Sequence, residues 1–413
     1  MASTQLGTST LSDSITHGRN VVLAGSRLYA TWTDGTNVVY QYSDDDGASW
    51  STKATIDSGT RMPTAFYDAT NGRLNFVYAG GNSTSFGLRL RAITSNVTSG
   101  TPGALTTTNI IDAGGTNSGV VRAYAFHSDT GTNPRYWIIA LKVTASSVYE
   151  TRVWYCDAGS AADVAANWTN GTDGSAPQNA DFKNLGGTSD ANTSKCGVGV
   201  HWQVASVDGV TFVMQEGSAD TACVTVTFDP TAATPTPGTV GTVTGSTEDN
   251  PLSVFNQGAL IAIGAVDDYL VFGCHERTAG TWDFFKTVDG TTWTAPTGWD
   301  ALTMGYCQIT TDGTDFYLLY STPYGVLATA DENLEYRKLT KSSDAMGSGI
   351  AFSDTQGNAI SAPPHTGTAK LYALYRGSTA SPYTVRSDFA VIEEEPPSSP
   401  QKKIQVIRSN LCW

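Results

Sequence analysis

Charge is scarce in this chain. Of 413 residues only 15% are Asp, Glu, Lys or Arg, and 24 basic residues stand against 38 acidic ones. A net charge of −14 with no basic stretch excludes the phosphate-neutralising face on which nucleic-acid binding depends. Long apolar runs are missing too; none approaches the roughly 20 residues of a membrane-crossing helix, so no membrane insertion is expected. The N-terminus Met1-Ala2-Ser3-Thr4-Gln5 has neither the basic nor the apolar region of a secretion signal. Six cysteines (Cys156, Cys196, Cys223, Cys274, Cys307 and Cys412) lie far apart, with no Cys-x-x-Cys and no Cys/His cluster at zinc spacing. No metal and no cofactor is expected, and the thiols are read as free. Long amphipathic helical periodicity is also absent.

What fills the sequence is glycine (42 residues), threonine, serine and asparagine, between short runs of β-branched and aromatic residues. That mixture suits many strands joined by tight turns. A recurring unit emerges: a short apolar strand, a turn, a second apolar-aromatic strand, a loop, and a third strand. Seven copies are read: 21–42, 64–93, 122–155, 200–228, 260–287, 306–329 and 348–391. In the sixth the strands are 306–310, 316–320 and 325–329; in the seventh, 348–352, 370–375 and 384–391. Stretches such as 51–56, 105–111 and 334–339 supply a fourth strand to most units. The last lacks an evident one, and the run 4–11 at the N-terminus is placed to fill it.

Seven four-stranded units predict an all-β, seven-bladed β-propeller, in which radial repetition buries each sheet against its neighbours. Two stacked β-sandwiches or a jelly roll are the alternatives. The widest gap, 159–195, has the composition of a long loop projecting from the third blade.

One turn string is more specific than the rest. Ser43-Asp44-Asp45-Asp46-Gly47-Ala48-Ser49-Trp50 reads Ser-x-Asp-x-Gly-x-Ser-Trp between two strands. Asp45 is suited to accept hydrogen bonds from turn N–H groups, Gly47 to adopt positive φ, and Trp50 to pack over the hairpin. Thr287-Val288-Asp289-Gly290-Thr291-Thr292-Trp293 repeats it one residue shorter, and the string 329–336, around Asp331, repeats it with Asn for Gly and Tyr for Trp. These strings resemble the Asp-box (BNR-repeat) hairpins of sialidase-like seven-bladed propellers. The resemblance implies scaffolding for Ser43, Asp45, Gly47, Trp50, Asp289, Gly290, Trp293 and Asp331, and no catalytic part.

Sialidases of that fold hold the substrate carboxylate with three arginines, the first in an Arg-Ile-Pro type motif, and use a Tyr/Glu nucleophile pair with an Asp acid/base. Arg61-Met62-Pro63 is the nearest match to the first motif, and Arg19 and Arg122 open the neighbouring units at similar places. Entry to the innermost strand lies on the ligand face of such propellers, so Arg19, Arg61 and Arg122, with Trp202, are candidate ligand contacts. Structural or solvated arginines and a core tryptophan are the plain alternatives. Tyr375 is a nucleophile candidate with no glutamate set beside it, and His17, His201 and Asp300 also fall near blade entrances. No catalytic residue is assigned.

The propeller is expected to span 1–395. Beyond it, 396–413 form a proline-rich linker and a terminal peptide in which Lys402, Lys403 and Arg408 flank Ile404 and Val406, ending in Trp413. This peptide reads as an anchor onto a larger assembly. Together with the composition it resembles structural or receptor-contacting proteins of tailed phages. The expectation is a non-catalytic virion attachment module, assembled in the host cytoplasm, that binds a host-surface glycan or protein and docks to other virion proteins through its tail. The alternative is a sialidase-like glycoside hydrolase or lyase acting on an acidic glycan.

Overall fold

The computed structural model describes residues 3–10, 19–82, 85–113, 118–129, 133–145, 148–170, 197–204, 207–215, 223–238, 241–243, 261–276, 281–322, 333–356, 358–363, 370–377 and 383–392. These form a ring of seven antiparallel blades. Strand β1 (Thr4–Ser9) comes first in the chain but belongs to the last blade. Blade one holds β2 (Val21–Ala24), β3 (Arg27–Thr33), β4 (Asn37–Ser43) and β5 (Ala54–Ser58). Blade two holds β6 (Thr60–Asp68), β7 (Arg73–Asn82), β8 (Ser85–Ile93) and β9 (Asn109–Asp112). Blade three has β10 (Ser118–Ser128), β11 (Arg135–Ala145), β12 (Val148–Asp157) and β13 (Thr169–Asn170), and blade four has β14 (Gly197–Val204), β15 (Val207–Gln215), β16 (Cys223–Phe228) and β17 (Gly241–Thr242). Blade five runs β18 (Ile261–Val266), β19 (Tyr269–Glu276), β20 (Thr281–Thr287), β21 (Leu302–Thr303). Blade six runs β22 (Cys307–Thr311), β23 (Phe316–Thr322), β24 (Asn333–Thr340), β25 (Ala345–Met346) and β26 (Ile350–Gln356), and blade seven β27 (Asn358–Ser361), β28 (Lys370–Arg376) and β29 (Tyr383–Val391).

Each second strand is packed between two neighbouring blades, which is why β3 is buried at every position and β23 and β28 at nearly every one. The core is therefore a set of inter-blade layers. Tyr29 and Val38 meet Phe76 and Tyr78 between blades one and two, and Leu28 and Trp32 meet Tyr372 and Leu374 between blades one and seven. Blades two and three are joined further by a parallel bridge from Ser118 and Gly119 of β10 to Ser85 and Phe86 of β8.

The ring is closed by the N-terminal strand. β1 pairs antiparallel with β29, from Thr4 opposite Ser387 to Ser9 opposite Tyr383, with a bulge between Gln5 and Gly7. Blade seven thereby acquires its outer strand from the opposite end of the chain.

Three assignments change. The third strand of blade six is β24, the segment the sequence suggests as a fourth strand, because it pairs along the whole of β23, with Leu334 and Tyr336 buried toward blade seven and Leu339 toward blade five. The expected strand 325–329 lies outside the described residues. The segment expected to open the last unit, 348–352, falls largely in β26, which runs on along β24 beyond β25, so the inner strand of blade seven is β27. The gap after blade three is not strandless either: two short 3-10 turns (Gly159–Asp163 and Ala165–Asn167) lead into β13, held to β12 through Trp154 and Tyr155. The tail residues Lys402, Lys403, Ile404, Val406, Arg408 and Trp413 lie outside the described residues.

Candidate functional site

The two aspartate-centred turns join third to fourth strands in blades one and five. In the first, Asp45 accepts from the Ser49 N–H at 2.8 Å and the Ser49 and Ser43 hydroxyls at 2.6 and 2.7 Å, while Ser43 Oγ accepts from the Gly47 N–H at 2.8 Å. Asp46 and Gly47 both take positive φ, at 59° and 87°. In the second, Asp289 Oδ1 accepts from the N–H groups of Thr291 and Thr292 at 2.8 and 2.7 Å, and Gly290 N–H donates to Thr287 Oγ1 at 2.9 Å. These bonds hold both carboxyls below the usual carboxylate range, for Asp45 chiefly through the Ser49 hydroxyl and for Asp289 chiefly through the Thr292 N–H. Every acceptor is used within the turn, so the role is scaffolding. In the third string, Asn333 to Tyr336 belong to β24, and Asp331 lies outside the described residues.

A row of side chains missed at the sequence level ties blade to blade. In five of the seven blades the residue that begins the second strand reaches into the connection between third and fourth strands of the next blade. Arg27 forms a bidentate pair with Asp44 of its own blade and donates to the carbonyls of Asn96 and Gly100 in blade two. Arg73 pairs with Asp163 of blade three. Arg135 fans out to the carbonyls of Pro230, Ala232 and Ala233 in blade four, at 2.6, 2.6 and 3.0 Å. Tyr269 donates to Asp344 of blade six, and Lys370 to Asp46 of blade one at 2.6 Å. The signal was present as a cation or tyrosine directly after the first turn in these five blades, as in Arg27-Leu28-Tyr29 and Arg73-Leu74-Asn75, but its partner lies far along the chain.

The arginines of blades one to three lie on, or just before, the inner strands of adjacent blades. Measured back from the innermost cross-strand pairs Ala24–Arg27, Asp68–Arg73 and Ser128–Arg135, Arg19 lies five residues in (24 − 19), Arg122 six (128 − 122) and Arg61 seven (68 − 61). The bulge in β6, between Arg61 and Thr64, takes up one residue of that difference, whereas the bulge in β10 lies beyond Arg122. Of Arg61 and Arg122 the structure gives this strand position.

Arg19 is held in place from several sides. Its carbonyl accepts from the Ala65 N–H of β6 at 2.8 Å. The next residue, Asn20, donates its side-chain amide to the carbonyls of Thr31 and Pro63, and its N–H to Ser361 Oγ of blade seven. The Arg19 side chain crosses to blade three, where Nε donates to Tyr124 Oη at 2.8 Å and the guanidinium stands 5.2 Å and 5.6 Å from the ring centres of Tyr124 and Phe126. It is 9% exposed, and no carboxylate among the described residues pairs with it. Aromatic faces and a phenol steady this cation without neutralising it. Its two terminal nitrogens suit an incoming carboxylate or sulfate. Tyr124 and Phe126 alternate with Ala123 and Ala125, a period-two pattern that marks their shared face in the sequence.

The other candidates separate from this site. Trp202 is corrected from ligand contact to core: it is 3% exposed, belongs to the apolar cluster that runs through blades three to five, and donates Nε1 to Thr211 Oγ1 at 2.8 Å. Tyr375 is fully buried between blades six and seven. Asp300 sits in the connection after Trp299, between β20 and β21. His17 lies outside the described residues, and His201 belongs to the opposite, turn end of β14 beside Asp208.

A tyrosine–glutamate pair exists, but off the channel: Tyr320 donates to Glu335 Oε2 at 2.8 Å and accepts from Arg337 Nε at 3.0 Å, on the second and third strands of blade six. Burial pushes the Tyr320 phenol up, the opposite of what a nucleophile needs. Cys156, Cys223, Cys274 and Cys307 are buried free thiols. No group of three or more metal-ligating side chains occurs among the described residues.

Solved structures share this architecture. An ulvan lyase of polysaccharide lyase family PL25, solved bound to -[GlcA(1-4)Rha3S]-, aligns with a TM-score of 0.53 at 10% identity, over 95% of this chain and 96% of that one. The polysaccharide lyase Uly1 aligns with a TM-score of 0.52 at 12% identity, over 91% and 90% of the two chains. A Hadza microbial sialidase, Hz136, covers 89% of this chain and 73% of its own at 12% identity and a TM-score of 0.46. At such identities the likeness is one of fold. No family model and no curated protein matches the sequence.

Proposed function

We propose that the propeller is a non-catalytic module that binds an acidic glycan, with Arg19 gripping a carboxylate or sulfate of the ligand and Arg61 and Arg122 adding charge from the neighbouring inner strands. The observation that carries this reading is the buried Arg19 guanidinium, tethered by Tyr124 yet without a carboxylate among the described residues. A cation placed in this way in a strongly acidic protein attracts an anion locally while the surrounding charge repels it, which favours specificity over bulk attraction. The tyrosine–glutamate pair of blade six, Tyr320 and Glu335, stands away from the inner strands with its phenol held neutral, which supports binding over hydrolysis. The module serves on a virion, where residues 396–413 dock it to a larger assembly and the channel face meets the host-surface glycan.

The test pairs binding with turnover. Uronate- and sulfate-bearing oligosaccharides are titrated against wild type, Arg19→Met and Arg61→Ala, and the same sugars are followed for release of reducing ends or unsaturated products. Binding without product, weakened in both variants, supports the proposal. Product formation abolished by Arg61→Ala replaces it with the hydrolase or lyase reading.

A further inference from the structure

At the opposite end of the channel from the entry of Arg19, two histidines stand on the inner strands of adjacent blades. His127 is the penultimate residue of β10 and His201 lies near the end of β14. The His127 ring sits edge-on to Tyr136, with centroids 5.5 Å apart at 73°, and its Nε2 is buried with no hydrogen-bond partner. His201 Nε2 is likewise buried without a hydrogen bond, 3.7 Å from Asp208 Oδ1.

The charged groups around the pair come from three blades. Asp68 of blade two accepts from Tyr136 Oη at 2.6 Å and from the N–H and side-chain amide of Asn71 at 2.9 and 2.8 Å, so its charge is already engaged. Asp129 follows β10 and acts on both imidazoles, and Asp208 lies in the turn of blade four. The seam between blades three and four, which His201 faces, has little slack. A Cβ on Gly199 would lie 2.7 Å from Phe126 and 2.6 Å from Phe212.

We propose that His127, on the face of blade three that meets blade two, and His201, on the face of blade four that meets blade three, make the seams on either side of blade three an acid-sensitive joint, tight while both imidazoles are neutral and loosened, reversibly, when they take up protons. Burial is the largest influence on each and lowers both below the ordinary histidine range, against the weaker pull of the nearby carboxylates; a proton on one also opposes a proton on the other. The unfolded chain, whose histidines titrate near pH ~6.5, then binds more protons than the folded one in mildly acid solution. The stabilisation is complete above that pH and is lost as the pH falls from it through the folded values.

The test uses the full chain with 13C-labelled histidine. Resonances assigned by His127→Asn and His201→Gln are expected to titrate below about pH 6.5, and the wild-type melting temperature to fall by roughly 3 °C between about pH 7.5 and about pH 5. The double variant is expected to lose that pH difference. Titration of both histidines at or above about pH 6.5 in wild type overturns the proposal, whether or not the variants fold; so does an undiminished fall in a folded double variant.

Discussion

The indole Nε1 of Trp50 in blade one donates to Ser387 Oγ on β29 of blade seven at 2.9 Å, and shares the same hydrogen with the Gly47 carbonyl at 3.1 Å. The aspartate-centred turn is thus more than a local hairpin: it carries a clasp across the point where the ring closes. Asp46, in the same turn, receives Lys370 Nζ and Tyr372 Oη at 2.6 and 2.9 Å. These contacts join the two blades that β1 also binds together, so closure is carried by strand pairing on one side and by turn side chains on the other.

Removing the clasp weakens closure first. Ser387→Ala is expected to lower stability by about 1 kcal/mol, the usual worth of one such bond, and Trp50→Ala by more, because packing against Leu28 and the β29 face is lost as well. Hydrogen exchange should rise in β1 and β29 before it rises elsewhere. A uniform rise over all blades would argue that closure is not the weak point.

Arg135 tests the blade-to-blade ties. Its guanidinium serves three carbonyls of the next blade, and truncation leaves the buried Pro230 carbonyl and the part-buried ones of Ala232 and Ala233 without this donor. Arg135→Ala is expected to cost about 3 kcal/mol in chemical denaturation, and Arg135→Lys to restore only part, since one ammonium does not reproduce the fan of a guanidinium.

The turns predict a second, lower acid transition. Asp289 and Asp45 are ionised more readily in the folded protein than in the unfolded chain, whose aspartates titrate near ~3.9, so their stabilising effect is present above that pH and is lost as the pH falls through the folded values. Asp289→Asn keeps the size of the side chain but removes the charge that two N–H groups address. Its turn amides are expected to exchange at neutral pH as the wild-type ones do only in strong acid.

Much of the architecture was legible because propeller blades repeat locally: the 21–42 unit, with its turn at Asp45, needs no distant information to read as three strands and a hairpin. What escaped the sequence lies between units. Arg73 meets Asp163, and Arg135 meets Pro230, across about a blade and a half of chain, where no periodicity links the partners. Trp202 looked available because it opens a unit beside a histidine, yet the strand pleat turns it inward onto Thr211. Blade six was misdivided because Asn333 to Leu339 reads equally well as a third or a fourth strand, and only its pairing with β23 decides. Tyr124 was overlooked since a tyrosine two residues past Arg122 reads as core until Arg19 is seen to reach it.

The reading of the channel as an anion-binding site is tested most directly by calorimetric titration of a uronate-bearing oligosaccharide, and of its neutral counterpart, into wild type and Arg19→Met. Loss of a charge-assisted contact predicts binding of the acidic sugar weakened about tenfold or more in the variant, with little wild-type affinity for the neutral one. Equal affinity of wild type for both sugars, or an acidic ligand that binds the variant undiminished, would contradict it.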